Sequence, residues 1–430
     1  MKRSIEEKLL EWKNKRDRKP LILNGARQVG KTYLLREFGS LYYKNVVYVN
    51  LETNVSVASY FNGDISPERL IRFLEAYAGE AIIPESTLII FDEIQSCERA
   101  LTALKYFCEE TPEYHIVAAG SLLGVAIHRE RYSFPVGKVD TITLYPLTFD
   151  EFLRACGEDL LCEEIRRHYA VLEPMPEALH NKAIDLYRCY LITGGMPAVV
   201  SEFVQSGKLI GVADIQNKIL SDYLAEMAKY ASNSDSVKIR ACYNSIPAQL
   251  AKDNKKFQYK VVQKGGSSTT FGASIDWLNF AGVVLRCQRI EQAFEPVSVY
   301  ADLSSFKLYM GDTGLLVMKS GMSQQTVLSG EVNLFMGAVC ENYVAQALYA
   351  NGYQLHYWTS EYIAELDFVI QKGNELIGIQ VKKAQHVKSK SLFEFIKKYN
   401  PAYSIRLSEK NFGMGENHVR SVPLYAAFCI

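Results

Sequence analysis

Gly25-Ala26-Arg27-Gln28-Val29-Gly30-Lys31-Thr32 is the stretch of this chain best equipped for chemistry. Its spacing, G-x-x-x-x-G-K-[ST], is that of a phosphate-binding loop. Gly25 and Gly30 let the backbone approach a polyphosphate closely and turn tightly. The loop amides and the N-terminus of the helix expected after them form an anion site. Lys31 can reach the β- and γ-phosphates of ATP, and the Thr32 hydroxyl can ligate Mg²⁺. A second feature lies 61 residues beyond Lys31, where the apolar run Thr87-Leu88-Ile89-Ile90-Phe91 ends in Asp92 and Glu93. A buried strand there would hold Asp92 rigidly against the metal. Glu93 could then orient and polarise the attacking water.

Further polar residues follow the same logic. His115-Ile116-Val117-Ala118-Ala119 ends in Gly120-Ser121. Ser121 is placed either to sense the γ-phosphate from a strand tip or to cap a helix. Arg129 and Arg131 lie in a polar segment and are candidates for an arginine finger serving a neighbouring subunit, or for plain solvated arginines.

Near the C-terminus, Glu365 and Asp367 alternate along an expected strand, and Gln380 and Lys382 do the same along the next. Gln380 comes 13 residues after Asp367. The set resembles the PD-(D/E)xK nuclease arrangement. By that resemblance Asp367 and Gln380 would hold Mg²⁺, Lys382 would position the attacking water, and Glu341 would support it from a flanking helix. The usual residue at position 380 is Glu. An amide oxygen still ligates Mg²⁺ but brings one charge fewer, so weak metal binding and little cleavage are expected. The rival use of such a fold is binding, with Lys382, Lys383, Lys388, Lys390, Lys397 and Lys398 forming a basic tract that either touches phosphates or is merely solvated.

The elements that must position these residues can be read from periodicity. Residues 1–150 alternate strands (21–23, 46–50, 87–91, 115–119 and 141–144) with amphipathic stretches, which implies a parallel sheet covered on both faces. Residues 151–235 read as a helical lid interrupted by Thr193-Gly194-Gly195-Met196-Pro197. Residues 236–330 give helix, turn, helix and hairpin, the order of a winged helix, a module that serves DNA or protein partners. Residues 331–430 begin a second α/β unit: helix 335–351, strands 354–359, 365–371 and 376–382, helix 391–399.

The chain has 430 residues, with 48 basic and 48 acidic side chains, so no global field points to nucleic acid. Nine cysteines without a C-x-x-C pair and a charged N-terminus without an apolar core favour a cytoplasmic protein. No apolar run is long enough to span a membrane.

Taken in order, residues 25–32, Phe91-Asp92-Glu93-Ile94-Gln95, Gly120-Ser121, Tyr145-Pro146-Leu147-Thr148-Phe149-Asp150-Glu151-Phe152 and Gly194-Gly195-Met196-Pro197 resemble a prokaryotic AAA+-like ATPase family whose core precedes a conserved domain of unknown function. The resemblance implies an α/β fold with an AAA+-like P-loop core, a helical and winged-helix middle, and a C-terminal domain of restriction-endonuclease type. That family usually has Gly-Arg before the last core strand. Here the pair is Gly137-Lys138, and lysine cannot form arginine's bidentate fork. The expected function is a Mg²⁺-dependent ATPase acting as a nucleotide-driven switch or motor on nucleic acid. The rivals are a regulatory NTPase that binds a protein partner and an ATP-regulated nuclease. Oligomeric state stays open.

Overall fold

The computed structural model describes residues 1–121, 134–229, 233–331, 333–360, 364–382 and 390–430. Arg129, Arg131, Lys383 and Lys388 lie outside the described residues. The chain forms two compact units, one of residues 2–145 with 280–282, the other of Met1 with residues 146–279 and 283–430.

The first unit is built on five parallel strands: β1 (Leu21–Asn24), β2 (Asn45–Asn50), β3 (Thr87–Asp92), β4 (His115–Ala119) and β5 (Asp140–Thr143). Their spatial order is β2-β3-β4-β1-β5. The extra strand β4 thus separates the strand of the phosphate loop from the strand of the acidic pair, pairing with both. Strands β3 and β4 are buried along their whole length, as continuous apolar runs in a parallel sheet require. Around them run α1 (Ile5–Asn14), α2 (Lys31–Tyr42), α3 (Val55–Tyr60), α4 (Pro67–Ala78) and α5 (Glu98–Glu110). Helix α4 starts with Pro at its first turn, where no N–H partner is lost, and stops at Gly79 in the left-handed conformation. Leu70, Leu74, Ile89, Phe91, Leu104 and Phe107 meet in one core. Each such side chain contributes about 1.5–3 kcal/mol on burial.

The second unit opens with α6 (Phe149–Ala155), α7 (Asp159–Val171), α8 (Glu177–Thr193), α9 (Pro197–Ser206) and α10 (Val212–Lys229). A capping box closes the start of α6, with Thr148 and Glu151 exchanging bonds. The turn before α6 is locked to the Gly194-Gly195 corner: the Leu147 amide donates to the Gly195 carbonyl at 2.7 Å, and the Tyr190 hydroxyl donates to the Leu147 carbonyl at 2.5 Å. A Cβ on Gly195 would lie 2.1 Å from the Leu147 oxygen, so only glycine fits.

Next come α11 (Asn233–Leu250), α12 (Tyr259–Val262) and α13 (Ser268–Phe280), then the hairpin β6 (Val284–Ile290) and β7 (Ala301–Met310). The order here is helix, short helix, helix, hairpin. The hairpin, however, is no free wing. It continues an eight-stranded sheet with β8 (His356–Thr359), β9 (Glu365–Lys372), β10 (Glu375–Val381), β11 (Ser404–Ser408), β12 (Gly413–Met414) and β13 (Val419–Pro423), in the order β12-β13-β11-β10-β9-β8-β6-β7. Val284, Leu285, Cys287 and Ile290 of β6 are buried, and pairing with β8 satisfies backbone groups that an edge strand would leave open. The expected boundary at residue 330 is therefore bridged by one sheet. Helices α14 (Thr313–Ser320), α15 (Gln324–Ser329), α16 (Met336–Ala350) and α17 (Lys390–Tyr399) complete the unit. Among the described residues no helix is long and apolar enough to cross a membrane.

Candidate nucleotide site and the acid cluster of the second unit

The loop of residues 25–30 joins β1 to α2 and leaves its amides at the helix N-terminus. It takes an unusual path, with φ of 149° at Gly25, 65° at Gln28 and 94° at Gly30. A Cβ at Gly25 would lie 2.3 Å from the Leu144 carbonyl oxygen, which is why this position must be glycine. Val29 and Ala26 are buried, Arg27 is half-buried, and Gln28 is exposed. The loop is braced from outside by Arg3, whose guanidinium donates to the Val29 carbonyl at 3.2 Å and to the Tyr145 carbonyl at 2.6 Å. Sequence reading takes the charged N-terminus only as evidence against a signal peptide. The bracing role depends on contacts 26 and 142 residues away.

Lys31 is only 7 % exposed and donates to the carbonyls of Gly25 and Ala26, both at 2.8 Å. Its ammonium is thereby held inside the curl of the loop. The Thr32 hydroxyl donates to Asp92 Oδ2 at 2.7 Å, and the Tyr48 hydroxyl donates to the same oxygen at 2.8 Å. The other oxygen of Asp92 accepts from the Glu93 amide at 3.0 Å. The loop threonine and the β3 acid, 60 residues apart in sequence, thus face each other as a pair of hard oxygen donors.

Glu93 leaves the strand with a left-handed φ of 51°, a conformation uncommon outside glycine and concentrated at functional sites. The turn re-aims its side chain, and Gln95 Nε2 donates to Glu93 Oε2 at 2.5 Å. Burial pushes the Glu93 carboxyl above the ordinary range. The Gln95 hydrogen bond works against that rise, and the charge of Asp92 adds to it. Ser121 is buried just beyond β4, where the Gly120 amide donates to the Leu23 carbonyl at 3.4 Å. Tyr48 and Gln95 are the members that sequence reasoning did not assign. The signal for Gln95 is its place in the run Phe91-Asp92-Glu93-Ile94-Gln95.

In the second unit Asp367 and Gln380 sit on neighbouring antiparallel strands and are bonded directly, Gln380 Nε2 donating to Asp367 Oδ2. The ladder between β9 and β10 runs to Phe368 and Ile379. Beyond it the Val381 amide donates to Asp367 Oδ2 at 2.7 Å instead of to backbone. Glu341 lies on α16 and accepts from Lys255 and, at 3.4 Å, from the Tyr309 hydroxyl. Lys307, fully buried on β7, donates to Glu365 at 2.5 Å. Burial opposes its charge, but Glu341, Glu365 and Asp367 outweigh that and hold its pKa above the usual lysine range. The Asp367 carboxyl is pushed up to about 6, first by burial and then by Glu341, while Lys307, Lys255 and Lys382 pull it down. Of the four residues singled out in the sequence, Asp367 and Gln380 are bonded directly, and the charges of Glu341 and Lys382 act on the Asp367 carboxyl. Lys255 and Lys307, which also belong to the cluster, carry no local motif.

Residues 17–153 match the family model of an AAA domain. Residues 184–326 and 336–426 match two domains of unknown function, DUF8612 and DUF4143. Comparison with curated proteins finds no match. Among solved structures, a Walker-type ATPase of Pyrococcus abyssi aligns over 74 % of this chain and 95 % of its own, at 14 % identity and a TM-score of 0.46. The ORC2 protein of Aeropyrum pernix, solved as ADPNP–ADP complexes, aligns over 77 % of this chain and 90 % of its own at 12 % identity, TM-score 0.34. AMPPCP-bound DnaA from Aquifex aeolicus aligns over 64 % of this chain and 86 % of its own at 14 % identity, TM-score 0.29. The loop, the inserted strand β4 and the acidic end of β3 lie within the segment matching the AAA model, and this chain therefore carries an AAA-type P-loop domain.

Proposed function

We propose that this chain is a Mg²⁺-dependent ATPase whose nucleotide cycle acts as a switch on nucleic acid. One observation carries the ATPase part: the Thr32 hydroxyl meets Asp92 at 2.7 Å inside a parallel sheet that puts both at its carboxyl edge. Two hard oxygen donors converging beside a phosphate loop fit Mg²⁺ rather than a softer metal. Bound with ATP, Mg²⁺ would neutralise charge on the β- and γ-phosphate oxygens. The residues of the chain divide the remaining work. The loop amides and Lys31 bind the phosphates. Asp92, fixed by Tyr48, holds the metal side. Glu93, fixed by Gln95, accepts the proton of the attacking water.

The nucleic-acid part rests on two features of the second unit. One is the helix, short helix, helix order of α11 to α13. The other is the exposed lysine face of α17, with Lys390, Lys397 and Lys398. A nuclease role is the weaker reading, because lysine ammonium groups already neutralise the acids of the cluster. ATP hydrolysis measured without DNA, with single-stranded DNA and with double-stranded DNA tests the proposal. Severalfold stimulation by either DNA is expected, abolished in Lys31→Ala. Turnover indifferent to both would move the assignment to a regulatory NTPase with a protein partner. No turnover in any arm would sink the ATPase reading itself.

A further inference from the structure

The acid cluster of the second unit looks at first like a place for a divalent cation. Its three carboxylates, Glu341, Glu365 and Asp367, come from one helix and one strand, and all three act on the buried ammonium of Lys307. The partners they have are of the wrong kind for a metal. Gln380 presents an amide N–H to Asp367, and a second N–H comes from Val381. Glu341 is engaged by the Lys255 ammonium and Glu365 by that of Lys307. Lys382 adds a third positive charge near Asp367. Three acids face three lysines, so the cluster is neutral without any ion. A divalent cation entering it would meet repulsion from Lys255 and Lys307 until one of them withdrew.

Lys255 does not arrive there by accident of a floppy side chain. It sits between α11 and α12 with a left-handed φ of 48°, a costly state for a lysine. The connection holding it is stapled on both sides. Gln258 N donates to Gln249 Oε1 at 3.0 Å, Gln249 Nε2 donates back to the Gln258 carbonyl at 2.9 Å, and the Phe257 amide donates to the Phe306 carbonyl at 2.8 Å. Phe257 and Phe306 also stack, with ring centroids 5.6 Å apart. The backbone is thus fixed in a strained shape that delivers one ammonium to Glu341.

We propose that Lys255 is the resident cation of this cluster, occupying the position a divalent metal would need, so that lysine and metal exclude each other. The second unit then uses a sheet with the residues of a metal-dependent centre as a metal-free, charge-compensated core. The chemistry implied for the tail by its Asp367–Gln380–Lys382 spacing does not fit the residues around it.

Mn²⁺ alone, without nucleotide, is the probe, with free ion counted by electron paramagnetic resonance on the full chain. The parent should bind Mn²⁺ at the cluster no better than weakly. Lys255→Ala should bind at least about tenfold more tightly, because the acid pair loses its compensating charge. Lys255→Gln keeps length and polarity and should show the same gain, which guards against a fold defect in the alanine variant; thermal melts of both confirm folding. Adding Asp367→Asn to either should erase the gain. Tight binding by the parent that Asp367→Asn removes would overturn the proposal. So would a gain on Lys255 substitution that survives Asp367→Asn, or no gain in either folded variant.

Discussion

Glu93 concentrates the catalytic question in one side chain. It is half-buried, bent out of its strand by a left-handed backbone, and held by Gln95. Replacing Glu93 by Gln keeps the shape and removes the basicity, so ATP binding should persist while turnover drops by about a hundredfold or more. Equal turnover in both proteins would assign the water to another residue. As the proposed base, the same carboxyl would set a pH limit. A general base works only when ionised, and burial raises the pH at which Glu93 ionises. The acid limb of turnover should therefore lie above that of an ordinary glutamate, with activity lost as pH falls through the raised value. Gln95 opposes the rise, so Gln95→Ala should move the limb further upward. A limb unmoved by that change would detach Gln95 from the base. At this scale the sequence is most legible where contacts are local. Residues 25–32 and Asp92-Glu93 declare themselves because the phosphate cradle is one loop and the acids end one strand. Arg3, Tyr48, Lys255 and Lys307 do not, because each acts on a partner at least 26 residues away.

Elements follow the same rule. Strands β1 to β5 and β8 to β10 are legible because each is an apolar or alternating run bounded by polar turns. Strands β11 and β13 are less legible, because Ser404, Arg406 and Ser408 in one and Arg420 and Ser421 in the other interrupt their apolar residues with polar ones. The place of β6 and β7 was also beyond reach, since neither sequence says that β8, more than sixty residues on, will pair with β6. The Gly194-Gly195 corner shows how elements are fixed to one another. Asp312, capping α14, accepts from the Gly195 amide at 2.6 Å and from the Leu315 amide at 2.9 Å while fully buried. Asp312→Ala would strand both donors away from water, and each buried orphan costs roughly 1–3 kcal/mol. A loss of about 2–6 kcal/mol in chemical denaturation is expected from those two donors. A loss below half a kcal/mol would show that the corner relaxes or hydrates freely. Gly195→Ala, which drives a methyl into the Leu147 carbonyl, should be at least as damaging.

The whole molecule consists of two units with separate cores. One core gathers Ile22, Val47, Leu70, Phe91 and Phe107; another gathers Ile290, Trp358, Leu366, Phe395 and Val419. Only the first unit holds residues 25–32, Asp92 and Glu93. A ligand stabilises what it binds by mass action, about 2.7 kcal/mol at a hundred times its dissociation constant. Nucleotide binding should therefore act unequally on the two cores. In calorimetry, ATP with Mg²⁺ should raise the transition belonging to the P-loop unit by several degrees and leave the other transition where it was. Lys31→Ala removes the charge that meets the phosphates and should cancel the shift. A single transition that ATP moves as a whole would mean that the units unfold together. Nucleotide binding would then stabilise the second unit along with the first. Two transitions with one shift would confine the nucleotide's stabilisation to the unit that holds residues 25–32, because a ligand stabilises only what it binds.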